Sequence, residues 1–221
     1  MTIRFVVSVA ALAGLTACGG GGAGNLGNPV DLSNFPNASY GDLDTAADFL
    51  NSYSDSANAT SFPSTTATYY GVILMAEDLD PSLADSTLGV STQGVIGQVE
   101  LIADFSDPSG VDIDGTATNF YQTNINLSGN PDGSTTGALS GTLVLSATGL
   151  TDNFFELSAV GTVAGDTVTG TFDDNAPFGP DNLVPGFKTS DASGIWVRTS
   201  DGGQLNVVGS NNLDAVIAAE R

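Results

Sequence analysis

The chain has 221 residues, enough for one domain with a real core, and sets 25 acidic residues against 4 basic ones with no histidine. That balance leaves nucleic acid a poor partner and disfavours docking on anionic lipid headgroups, since phosphate contacts need Lys and Arg. The missing histidine excludes Ser–His–Asp triads and imidazole metal sites, and 28 glycines among many Ser, Thr, Asn and Asp point to a turn-rich all-β protein.

Residues 1–18 read as a lipoprotein signal peptide. Arg4 supplies a minimal positive n-region. Residues 5–15 form an apolar run too short to span a bilayer permanently. Leu15-Thr16-Ala17-Cys18 then resembles the bacterial lipobox, whose cysteine is acylated and becomes the mature N-terminus. Each buried methylene of such chains adds about 0.8 kcal/mol, so several chains anchor firmly. An ordinary secretory signal with an incidental cysteine is the alternative. Cys18 is the only cysteine, so no intrachain disulfide forms. Gly19 follows it rather than the Asp that commonly retains lipoproteins at the inner membrane, which implies transit to the outer membrane.

Residues 19–62 read as a flexible tether, glycine-rich at first. Within it, Leu43, Ala46, Ala47 and Leu50 have helical spacing, with Asp42 or Asp44 as a possible cap. That helix would plug or brace the domain, or belong to the tether.

Residues 63–211 read as eight strands. Residues 67–76 are an apolar run. Residues 94–105 place Val95, Gly97, Val99, Leu101, Ala103 and Phe105 on one face, with Gln98, Glu100 and Asp104 on the other. Residues 111–119 return with Val111, Ile113, Gly115 and Ala117 inward. Residues 120–137 read as a long connection. Residues 139–147, 154–163 and 166–172 alternate in the same way, Gly165-Asp166 marking a hairpin turn between the last two. A final hairpin joins 194–199 to 204–209 around Asp201-Gly202-Gly203. Residues 212–221 read as a short C-terminal helix. With no long crossovers, the expected fold is an eight-stranded antiparallel up-and-down β-barrel with a lipidated N-terminal tether and short peripheral helices. In-strand glycines would permit tight bending and leave room for large neighbours.

Two stretches carry a family resemblance. One is Val99-Glu100-Leu101-Ile102-Ala103-Asp104-Phe105, followed by Gly115-Thr116-Ala117-Thr118-Asn119-Phe120 and by Leu139-Ser140-Gly141-Thr142-Leu143. The other is the run from Gly161 to Phe172, leading to Phe178-Gly179-Pro180 and then Gly186-Phe187. Together they resemble the barrel domain of transferrin-binding protein B-like surface lipoproteins. That resemblance implies a barrel displayed on the outer membrane by a lipid tether. It also implies a protein or nutrient ligand, iron- or haem-related in several members. This chain has length for one barrel rather than two lobes, and no transferrin-contact motif can be matched.

Few residues carry chemistry. Asp112-Ile113-Asp114-Gly115 superficially resembles a calcium loop, but its aspartates alternate along a strand and read as a solvated face. Glu77, Asp78, Asp80 and Asp85, and separately Asp173-Asp174, read as solvated loop acids. No enzyme activity, metal or cofactor is expected. Trp196, Phe178 and Phe187 are the candidate ligand contacts. For Trp196 the competing reading is a packed barrel rim; for the two phenylalanines it is a cover over one barrel end. Of Tyr69 and Tyr70, at most one should be core. The expected partners are the membrane, through the lipid on Cys18, and an unidentified protein or nutrient ligand, with the chain a monomer. A structural envelope component without a soluble ligand, and a small-molecule carrier using the barrel interior, are the alternatives.

Overall fold

Alternating apolar and polar side chains commit most of this chain to strands, because a strand buried on one face needs a period of two. The computed structural model describes residues 30–50, 53, 56–76, 92–106, 110–125, 131–150, 156–173, 186–199, 205–208 and 212–221. One helix, α1 (Tyr40–Leu50), precedes β1 (Ala67–Ala76), β2 (Thr92–Asp104), β3 (Val111–Ile125), β4 (Pro131–Leu139), β5 (Gly141–Leu150) and β6 (Glu156–Val163). Then come β7 (Asp166–Asp173), β8 (Gly186–Lys188), β9 (Gly194–Arg198), β10 (Leu205–Val207) and β11 (Asp214–Glu220). The sheet runs β10-β7-β6-β5-β3-β2-β1-β11-β9-β8, with β4 attached to β3. It curls into an antiparallel half-barrel. An isolated bridge between Leu205 and Leu213 links β10 to the residue before β11 through two backbone hydrogen bonds of 3.2 and 2.8 Å.

The described residues thus hold eleven strands rather than eight. The three additions are β4, β8 and β11. The expected C-terminal helix is overturned: β11 is a strand between β1 and β9, with Val216 opposite Leu74 on one side and Arg198 on the other. Its alanines favour a helix locally, but two open strand edges satisfy its backbone on both sides. The final hairpin is overturned as well. β9 pairs with β8 and β11, whereas β10 crosses to β7, setting Leu205 opposite Gly170 and Val207 opposite Val168. The connection read at 120–137 contains the end of β3 and most of β4.

Two cores result. Inside the curl lie Ile73, Val99, Leu101, Leu143, Leu145, Leu157, Phe172, Val197 and Ile217 with their neighbours. Phe120 joins them because Asn119 has a positive φ of 55°, which shifts the alternation of β3 by one residue after Ala117. Gly97, beside a register shift in β2, makes room for its ring: a Cβ there would stand 2.5 Å from Phe120 Cε1. The β6–β7 turn is Ala164-Gly165, not Gly165-Asp166. Val163 still pairs with Asp166, and both turn residues have positive φ, as a two-residue primed hairpin requires.

The second core lies outside the curl. Leu43, Ala46, Ala47 and Leu50 of α1 pack on Val72, Leu74, Ile96, Trp196 and Ala218. The helical spacing at 43–50 was therefore a buried stripe, and α1 braces the outer wall. Its cap is Ser39, not Asp42 or Asp44. The Ser39 hydroxyl accepts from the Asp42 amide at 3.2 Å, and Asp42 Oδ2 accepts from the Ser39 amide at 3.0 Å, a reciprocal capping box. The Ser39 hydroxyl, donating to Asp42 Oδ2 at 2.7 Å, and then the Ser39 amide hold the Asp42 carboxyl below its ordinary range. The segment ahead of α1 is pinned by Gln98, which points outward from β2 yet is fully buried. Its Oε1 accepts from the Ala38 amide at 3.0 Å and its Nε2 donates to Leu32 O at 2.9 Å. Residues 30–50 accordingly belong to the folded domain and not to a tether.

Candidate functional site: two unequal ends of the curl

The antiparallel register sorts the strand ends into two groups. At one end, the residues beginning β1, ending β2, and joining β8 to β9 converge. Phe187 sits at its centre, with ring centroids 5.1 Å from Phe105, 5.7 Å from Phe62 and 6.1 Å from Tyr69. Residues 57–61 run alongside β8, the Ala59 amide donating to Phe187 O at 2.9 Å and the Thr189 amide to Ala57 O at 3.0 Å. Tyr69 is fully buried and its hydroxyl donates to Ala192 O at 2.7 Å. Arg221 binds Asp191 at 3.4 Å across the same end. Among the described residues, aromatic packing and main-chain bonds fill this end around Phe187, and a separate cleft of about 280 Å³ lies where β5 ends and β6 begins.

Among the described residues the other end holds a larger cleft. Its cleft, of about 410 Å³, is lined by inward residues at the strand ends: Met75, Val95, Leu139, Val163, Val168, Val207 and Leu213, with Gln93, Gln122 and Asp166 among them. Met75, Val163, Val168 and Val207 are buried, Val95, Leu139 and Leu213 half-buried, and Gln93 and Asp166 exposed. The floor is therefore apolar and the polar groups stand at the rim. A cleft of this volume is large enough to receive a small molecule.

The Phe187 end carries a pH response. Burial raises the Tyr69 phenol well above its ordinary value, and burial with the Glu220 carboxylate does the same for Tyr53, whose hydroxyl donates to Glu220 Oε2 at 3.0 Å. A phenol raised in the folded state binds its proton more tightly there than in the unfolded chain. The stability it contributes is whole below about pH 10, the unfolded value, and is lost as pH climbs toward the folded one. Unfolding free energy measured in urea should stay flat from neutrality to about pH 10 and fall above it. Tyr69→Phe should make the alkaline fall shallower.

Trp196 is 1% exposed in the outer core, with Lys188 Nζ 5.8 Å from its ring centroid. Phe187 is 7% exposed at the end it fills. Both side chains are occupied by packing, and they point to different cores. Phe178 and Cys18 lie outside the described residues, as do Glu77, Asp78, Asp80, Asp85 and Asp174. Asp112 and Asp114 are exposed on the outer face of β3, Asp112 Oδ1 accepting from the Gly149 amide at 2.8 Å. Tyr69 is core and Tyr70 half-exposed. Among the described residues no three acidic or sulfur-bearing side chains gather in a metal-like group, and no helix is long and apolar enough to cross a membrane.

The rim residues were missed in sequence, though a signal existed. Gln93 lies two residues before Val95, Asp166 two before Val168, and Gln122 two after Phe120. Each is a polar residue in phase with an apolar face at a strand end. Comparison of the chain with protein-family models, with curated proteins and with solved structures gives no match.

Proposed function

We propose that this chain is a lipid-anchored outer-membrane binding protein of the transferrin-binding protein B-like barrel type. It holds its ligand at the cleft end of the curl, and its N-terminus is tied to the membrane through Cys18. The observation that carries the reading is the difference between the two ends among the described residues, one filled around Phe187 and its ring neighbours, the other holding an apolar-floored cleft of about 410 Å³. Loops and mouths on a rigid scaffold are the usual seat of recognition. The finer architecture proposed is a closed circuit of β1, β2, β3, β5, β6, β7, β10 and β11. Its support is the Leu205–Leu213 bridge, which brings β10 to the start of β11.

Two experiments test this. Native material grown with labelled palmitate should carry the label, and Cys18→Ser should lose both label and membrane association; an unlabelled thiol at Cys18 contradicts the anchor. The mature domain used as bait in culture medium and cell extract should capture a ligand specifically and saturably. Enrichment of envelope polymers alone would favour the structural role. A second reading, carriage of a small molecule in the interior, is favoured by the apolar floor of the cleft.

A further inference from the structure

The charge inventory of the cleft restricts what can enter it. The chain has four basic residues, Arg4, Lys188, Arg198 and Arg221. Arg4 precedes the lipobox. Lys188 is buried, donating to Ser56 O at 3.3 Å and Asn58 Oδ1 at 3.1 Å, and Arg221 pairs with Asp191, both away from the cleft. Arg198 is buried on β9 and is not among the residues lining the cleft. Asp166 is the one ionisable side chain among the described residues that line the cleft. A carboxylate brought there would meet no cation, one carboxylate, and the field of a chain whose formal net charge is −21.

We propose that the cleft binds small, mainly apolar molecules whose polar end is cationic or neutral, and that it discriminates against carboxylates. The apolar body would lie on Met75, Val168 and Val207, and the polar end at the rim beside Gln93, Gln122 and Asp166. The inference rests on the small-molecule reading of the cleft and names its ligand class. Fatty acids fall outside that class, and so does haem, with its two propionates.

Three probes with one chain length separate the possibilities: decyltrimethylammonium, decanol and decanoate, titrated by calorimetry into the mature domain at low salt. The cation should bind tightest at one site, about tenfold more tightly than decanoate. That ratio is the scale of exchanging one favourable exposed charge contact for one unfavourable one. Asp166→Asn should narrow it. Gln93→Lys, at an exposed position, should invert it toward decanoate. Leu139→Trp and Val168→Trp should each abolish binding by filling the cleft. Val168 is buried, so the half-buried Leu139 supplies the variant that leaves folding least disturbed. Decanoate or haem binding as tightly as the cation would overturn the inference. So would a failure of all three probes, or binding indifferent to Leu139→Trp. Protein capture by the mature domain alongside any of those failures would remove this inference and leave the lipid-anchored binder standing.

Discussion

Replacing Trp196 with alanine should lower the unfolding free energy by about 3–5 kcal/mol. The indole is the largest fully buried side chain of the described residues and belongs to the outer core that α1 shares with the sheet. Its removal leaves a cavity that the surrounding core can close only in part. Lys188 loses a ring 5.8 Å from its ammonium while keeping Ser56 O and Asn58 Oδ1. Trp196→Phe should recover most of the loss. Urea unfolding followed by circular dichroism measures it, since tryptophan fluorescence disappears with the only tryptophan. A ligand-anchoring role predicts the opposite pattern, with stability unchanged and capture lost.

A second large effect is expected at Leu43. Leu43→Asp buries a carboxylate at a fully enclosed position on α1, facing the apolar outer wall. The expected loss at neutral pH is about 4 kcal/mol or more, among the largest that single substitutions give. The new carboxyl would titrate above its unfolded value. The folded state is therefore least penalised in acid, and the deficit grows as pH rises through that range. Thr45→Glu, on the exposed side of the same helix, should change stability by no more than about 0.5 kcal/mol. Thermal unfolding of both variants at acid and neutral pH separates a bracing helix from a tether. In a tether, neither substitution would register.

Much of the fold was legible because a curled sheet with an apolar lining writes its period into each strand. Leu143, Leu145 and Ala147 are buried while Val144 between them is 56% exposed, and Leu157, Val163, Val168 and Phe172 keep the same phase. The errors have physical causes. β11 has both faces covered, the interior on one side and α1 on the other, so Ala215 to Ala219 show no alternation and read as a helix. β4 is largely exposed and polar, Asp132 to Thr135 offering no apolar face to read. Gln98 looks like a solvent-facing residue in a strand, and only tertiary contact with residues 32 and 38 buries it. Large rings serve both as ligand anchors and as core fillers, and only the tertiary packing places Phe187 in the inner core and Trp196 in the outer one. The cleft was harder to see, since its rim is a set of isolated polar residues contributed by β2, β3 and β7. Only the register brings Gln93, Gln122 and Asp166 to one end.

The most direct test of the unequal-ends account is an amide chemical-shift map of the mature domain titrated with decyltrimethylammonium. Perturbations concentrated at Met75, Val95, Leu139, Val168 and Val207, with Phe62, Phe105 and Phe187 unmoved, are the predicted result. Perturbations centred on those three phenylalanines, or spread evenly over the surface, would contradict it.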